Sequence, residues 1–325
     1  MTVLPTFADI EAAARRIAAF AVKTPLIENA ALNARLGGRI LFKLETLQRT
    51  GSFKFRGACN CIALIANCSK GVVAFSSGNH AQGVAAAAAL FEIPATIVMP
   101  KDAPRAKIEG TRALGATIIF YDRHSDDREA IAARLCVESG ATLIRPFDDA
   151  GVVAGQGTVG LEIAAAMEGE TLDAVLVPCG GGGLTGGIAL ALSHLSPGTS
   201  VISVEPENYD GMRRSMAVGR RVAAPGGMVS IADALMAPMP GEIPFALAKQ
   251  HSVAGLAISD ADLDRAVGFA AHHLKLMVEP GGSAALAAVL AKKINAQGKT
   301  LVIVMSGANC DLETLVQCVA REAPT

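Results

Sequence analysis

Lys54 stands in the run Ser52-Phe53-Lys54-Phe55-Arg56-Gly57, behind an apolar stretch at residues 40–44 and a turn at Gly51-Ser52. That order predicts a strand, a turn and a helix that opens at Lys54. A lysine between two aromatic rings at such a junction is placed to lose its proton. Desolvation disfavours the ammonium, and the neutral amine is a nucleophile. Taken alone, Lys54 reads rather as a surface lysine at a helix N-terminus, where a cation is unfavourable.

Three further junctions change that weighing. Gly180, Gly181, Gly182 and Gly183 follow the apolar run 174–177 and precede an apolar helix expected over 188–195. Consecutive glycines let backbone N–H groups converge, and the helix adds its positive end, which makes a phosphate cradle. The Gly-Lys-Ser/Thr ending of a P-loop is missing, and so is a clean dinucleotide fingerprint. Ser76-Ser77-Gly78-Asn79-His80 sits between the run 72–75 and an Ala-rich helix, and offers N–H groups to an anion such as a carboxylate. Ordinary helix capping explains Ser77 or Asn79 singly but not the whole string. Ser306-Gly307-Ala308-Asn309 ends the last apolar run, where an open α/β sheet binds ligands.

These sites need a frame that brings strand ends together. Short β-rich runs at 40–44, 72–75, 96–99, 117–120, 143–145, 174–177, 200–205, 253–258 and 301–305 alternate with helix-length segments. The alternation predicts an α/β fold of doubly wound open sheets with right-handed crossovers, in two α/β units. The segment Pro146 to Gly157 reads as a crossover back from one unit to the other.

Composition excludes several functions. In 325 residues, hydrophobic types make up 51% and charged types 18%, with a formal net charge of -1. No basic surplus points to nucleic acid or to an anionic membrane. Trp is absent and Tyr occurs twice, too few for a platform that stacks bases. No apolar run reaches the roughly 18 residues of a membrane span. The N-terminus lacks a signal-peptide layout, and Thr6 with Asp9 predicts a capping box opening a helix over 7–20. Seven scattered Cys with no C-x-x-C pair suit reduced thiols and a cytoplasmic location.

The run around Lys54, the Ser76–His80 string, the tetraglycine loop and Ser306 together resemble the serine/threonine dehydratase and serine racemase family, which carries pyridoxal 5'-phosphate. The resemblance spans nearly the whole chain. It implies the tryptophan-synthase-β fold type (fold type II). Residues 1–62 and 150–325 would form a large cofactor-binding domain, with 63–149 as a small inserted one. It implies that Lys54 forms the Schiff base, that Gly180 to Gly183 hold the cofactor phosphate, and that Phe53 and Leu184 complete the cofactor contacts. Asn79 would bond the ring's 3'-oxygen and Ser306 would face the ring nitrogen. A hydroxyl there cannot hold a pyridinium as a carboxylate would, which suits prompt β-elimination. Ser76, Ser77, Gly78, Asn79 and His80 would grip the substrate carboxylate. In serine racemases the serine matching Ser77 is the base opposite the lysine, and since dehydratases carry the same string, Ser77 is necessary but not sufficient for a racemase. Glu279 would lie near the ring. Glu205 and Asp210 match part of a divalent-cation site, although Gly211 stands where an acidic ligand is expected. Ala308 and the Ile231-Ala-Asp-Ala234 segment also depart from the family pattern, the latter beside the pocket stretch 236–240.

The expected reaction is β-elimination from a β-hydroxy amino acid to a 2-oxo acid and ammonia. The alternatives are a racemase on the same fold and a non-catalytic amino-acid-binding protein. Cysteine-synthase-type replacement fits less well, because Thr50-Gly51 replaces the Asn-Pro of those relatives. Serine, threonine, 3-hydroxyaspartate and aryl serines all fit as substrates. Arg128 is either a clamp for a second carboxylate or a solvated helix residue. The family implies a homodimer. The short segment after Ser306 suggests a form without a regulatory domain.

Overall fold

The computed structural model describes residues 3–65, 70–76 and 78–322. Among them the strands, in chain order, are β1 (Leu26–Glu28), β2 (Arg39–Leu44), β3 (Val72–Phe75), β4 (Ala95–Pro100), β5 (Thr117–Tyr121), β6 (Thr142–Leu143), β7 (Ala174–Pro178), β8 (Ser200–Pro206), β9 (Ala254–Ile258) and β10 (Thr300–Met305). They form a 6-stranded sheet in the order β1-β2-β10-β7-β8-β9 and a 4-stranded sheet in the order β5-β4-β3-β6. Every pairing is parallel except that of β1 with β2. The α/β class with two open sheets follows directly.

Parallel strands covered on both faces read as unbroken apolar runs. β7 and the last five residues of β10 are buried throughout. Alternate side chains of β10 feed opposite cores: Leu301, Ile303 and Met305 pack with the helix Ala284–Leu290, and Val302 and Val304 with the helix Gly183–Leu195. Each fully buried aliphatic side chain contributes roughly 1.5–3 kcal/mol. The strands of the smaller sheet all fall between Val72 and Leu143.

Two elements differ from the sequence expectation. β1 is a three-residue antiparallel edge strand, too short for an alternation signal. β6 stops at Leu143, two residues early. Pro146 disfavours helix and restricts Arg145, while the carbonyls of Ile144 and Pro146 are taken by side chains from the cleft. The first helix is Phe7–Ile17, and both bonds of its capping box, Thr6 with Asp9, are present. Among the described residues no helix is long and apolar enough to cross a membrane.

The helix Lys54–Ile65 is seated by two contacts. It crosses the helix Ala150–Ala166 at backbone distance, since a Cβ on Gly155 would lie 2.6 Å from the Gly57 Cα. Beneath it lies a buried ion network. The Arg56 guanidinium, 1% exposed, donates to both Glu45 oxygens at 2.8 Å and to Glu162 at 2.7 and 3.0 Å. Lys43 pairs with Glu162 and donates to the Thr24 carbonyl. Burial alone would raise the Glu45 carboxyl, but Arg56 and Lys43 outweigh it and hold the pKa below its ordinary value. With its charges paired and its donors used, the network fixes the helix two residues beyond Lys54.

Candidate active site

The carboxyl ends of β2, β10, β7 and β3 open onto one cleft between the two sheets. It is lined by Phe53, Lys54, Ser76, Asn79, Gly180 to Leu184 and Ser306, among others. The turn ahead of Lys54 is stitched to the end of β10: Ser52 bridges Gly307, and the Phe53 N–H donates to the Ser306 carbonyl at 3.1 Å. Lys54 therefore meets Ser306 through backbone bonds, independent of its own side chain.

Lys54 Nζ donates to the Pro146 carbonyl at 2.6 Å and lies 5.1 Å from the Phe53 ring centre. One side of the residue lines the cleft and stays partly accessible, but the amine end is enclosed. Burial lowers its pKa from 10.5 to about 8. With no carboxylate beside it to stabilise the ammonium, the neutral nucleophile becomes accessible near neutral pH.

The glycine loop joins β7 to the helix Gly183–Leu195. Gly182 has φ +91, a left-handed conformation that glycine adopts without strain. A Cβ on Gly181 would sit 2.3 Å from the Phe147 ring, so the loop and that ring leave no room for a side chain. Among the described residues, the N–H groups of Gly180 to Leu184 donate to no other group. A cluster of unclaimed donors at a helix N-terminus fits a phosphate.

Asn79 opens the helix Asn79–Leu90 and is 8% exposed. Its Nδ2 donates to Glu279 Oε1 at 2.5 Å, and its Oδ1 accepts from Asn309 at 2.8 Å. Ser76 Oγ accepts the Gly78 N–H at 3.1 Å. His80 Nε2 contacts the Ile144 carbonyl at 3.0 Å, which makes it the protonated ring nitrogen. Burial, helped by the nearby Lys54 charge, lowers the His80 pKa to about 3. The imidazole is thus neutral. Ser77 lies outside the described residues.

Arg128 begins the helix Arg128–Ser139, and it lines the cleft. Its guanidinium is 5.2 Å from the Phe75 ring centre and has no carboxylate partner among the described residues. The residue is half-buried, with one side on the cleft.

The pair expected to hold a cation is committed elsewhere. Glu205 accepts the Met212 and Arg213 N–H groups, both at 2.8 Å, and so caps the helix Gly211–Val218. Burial raises its pKa to about 8. Asp210 is ion-paired with Arg213 and Arg214. Among the described residues no cluster of three His, Cys, Asp or Glu could hold a metal.

Sequence reasoning missed Lys107, Asp233, Phe75 and Phe147, which also line the cleft. Asp233 falls in the segment singled out as a departure. Lys107 had no local signal, being one lysine in a polar helix.

The family model described as pyridoxal-phosphate dependent enzyme matches residues 17–307. The chain is 42% identical to the L-threo-3-hydroxyaspartate ammonia-lyase of Saccharomyces cerevisiae across 99% of both chains. Among solved structures it resembles a threonine deaminase of T.th., with 41% identity, a TM-score of 0.89 and coverage of 95% and 99% of the two chains. It also resembles maize serine racemase, with 35% identity, a TM-score of 0.91 and coverage of 98% of each.

Proposed function

The chain belongs to the pyridoxal-phosphate dependent enzyme family, and we propose that it is an ammonia-lyase that eliminates water from 3-hydroxyaspartate. The observation that carries this reading is that Lys54 lines the same cleft as Arg128, which has no carboxylate partner among the described residues. A substrate with a carboxylate on its β-carbon would supply the charge that Arg128 lacks, and a guanidinium binds carboxylates in a two-pronged fashion. Serine and threonine would leave that cation unmatched.

Gly180 to Leu184 would hold the cofactor's phosphate, Asn79 its 3'-oxygen, Ser306 its ring nitrogen and Lys54 its aldehyde carbon. When bound, the cofactor supplies an electron sink that makes the substrate's α-proton removable. The Ser76–His80 loop would hold the α-carboxylate at the helix N-terminus. Lys54, as the free amine, would take the α-proton. The Cα–H electron pair would become the Cα=Cβ bond as the Cβ–O bond breaks, and the hydroxyl would leave as water with the proton that the Lys54 amine has just taken. Hydrolysis then gives a four-carbon 2-oxo diacid and ammonia. Burial beside the Phe53 ring keeps the amine dry enough to act near its pKa of about 8. The same reading carries a homodimer in the cytoplasm, both from the family resemblance and the thiol chemistry.

The test is ammonia release from serine, threonine, an aryl serine and 3-hydroxyaspartate, with chiral analysis of residual substrate. Hydroxyaspartate is expected to lead. Arg128→Ala should raise its KM by roughly 10–100-fold, the loss of a charged hydrogen bond, and leave serine turnover nearly unchanged. Equal turnover of all four by both proteins would sink the substrate assignment. Racemised substrate without ammonia would favour the racemase alternative.

A further inference from the structure

Lys107, in the helix Arg105–Ala113, has a side chain only 2% exposed yet carries a charge at the cleft. A buried ammonium persists only when paired. Its partners come from the other side of the cleft: Asp233 at 2.7 Å and Glu279 at 3.4 Å. The stem reaches them over Gly78, where a Cβ would lie 2.4 Å from Lys107 Cδ. Any side chain at position 78 would push the ammonium away.

The hydrogen bonds beyond Glu279 settle the orientation of one amide. Asn309 Nδ2 spends its hydrogens on the Thr50 carbonyl at 2.7 Å and on Asn79 Oδ1 at 2.8 Å. Asn79 must therefore show its oxygen to Asn309 and its nitrogen to Glu279. That arrangement needs Glu279 Oε1 to accept, which a carboxylate does more strongly than a neutral carboxyl. Burial holds the Glu279 carboxyl above its ordinary pKa and Asp233 adds to that push, while Lys107 is the charge that opposes both and favours the anion. With one N–H given to Glu279, Asn79 keeps a second N–H that no described residue claims.

We propose that Lys107 is a positioning residue that holds Glu279 as an anion and, through it, keeps the free N–H of Asn79 turned toward the cofactor. This rests on the reading above, in which Asn79 meets the cofactor's 3'-oxygen. The absorbance of the bound cofactor reports that contact directly, because a hydrogen bond to the 3'-oxygen changes the ring's electronics.

The experiment compares holoenzyme of the wild type, Lys107→Met, Lys107→Arg, Glu279→Gln and Asn79→Ala by cofactor absorbance, cofactor dissociation constant and thermal midpoint. Lys107→Met should shift the absorbance band in the direction that Asn79→Ala does and weaken cofactor binding about tenfold, the worth of one charge-assisted hydrogen bond. Lys107→Arg should restore part of both. Glu279→Gln, which keeps the side chain's shape, should shift the band the same way and serves if Lys107→Met does not fold. A lower thermal midpoint with the wild-type band and affinity in both Lys107→Met and Glu279→Gln would overturn the proposal. If Asn79→Ala shifts the band and those two do not, only the role of Lys107 falls. If Asn79→Ala leaves the band in place, the Asn79 contact itself falls, and this inference with it.

Discussion

Lys54 and Pro146 are 92 residues apart in sequence, and the lysine's amine donates to the proline's carbonyl at 2.6 Å. A neutral carbonyl can orient the amine without stabilising its charge as a carboxylate would. Burial is therefore free to lower the pKa to about 8. Capture of pyridoxal phosphate by the cofactor-free protein needs the neutral amine. Its rate should rise with pH and level off above about 8, where an ordinary lysine would keep gaining to 10.5. Stopped-flow absorbance measures this, and a profile still rising at 10 would contradict the enclosed amine. Lys54→Ala should lose both the yellow absorbance and ammonia release.

His80 should contribute stability that acid removes. Its folded pKa is lowered from 6.5 to about 3, so between those values the unfolded chain binds a proton that the folded chain does not. Unfolding then becomes easier as pH falls through that window, and the contribution is complete above 6.5. His80→Gln, which keeps a donor for the Ile144 carbonyl, should flatten the acid limb of a plot of thermal midpoint against pH. An unchanged limb would show that other groups govern it.

Gly181→Ala places a Cβ where the Phe147 ring lies, 2.3 Å away. Overpacking of this kind costs about 1–3 kcal/mol. Because the strain falls on the phosphate cradle, much of it should appear as weaker cofactor retention. Equilibrium dialysis should show an affinity loss of roughly tenfold. Retention equal to wild type would mean that Phe147 swings aside at no cost.

Arg56→Met leaves Glu45 buried with Lys43 as its remaining neighbour of opposite charge in the network described above. Removing one partner of a buried ion network costs about 3–5 kcal/mol. Chemical denaturation should show that loss. Since Arg56 sits two residues after Lys54, cofactor affinity should fall as well. A stability change under about 1 kcal/mol would place this network among pairs of little net worth.

The sequence alone determined the α/β class, the strand-to-helix junctions and the residue types at each. Those signals are local: glycines in a row, a lysine between rings, a polar string ahead of a helix, and apolar runs that alternate with helix-length segments. It also located Asn79, Gly180 to Gly183 and Ser306 at strand ends, which an open parallel sheet brings to one edge. Which charge meets which is set by the fold. The fold sets Arg128 over the Phe75 ring at the cleft, a placement its own sequence neighbours do not signal. Glu205 and Asp210 looked like cation ligands until a helix N-terminus and two arginines claimed them. Lys107 was invisible beside Asp233 and Glu279 because ion pairs between distant residues leave no periodic trace in a chain. Desolvation likewise depends on what packs around a group, so the neutral state of His80 and the accessible amine of Lys54 belong to the folded molecule.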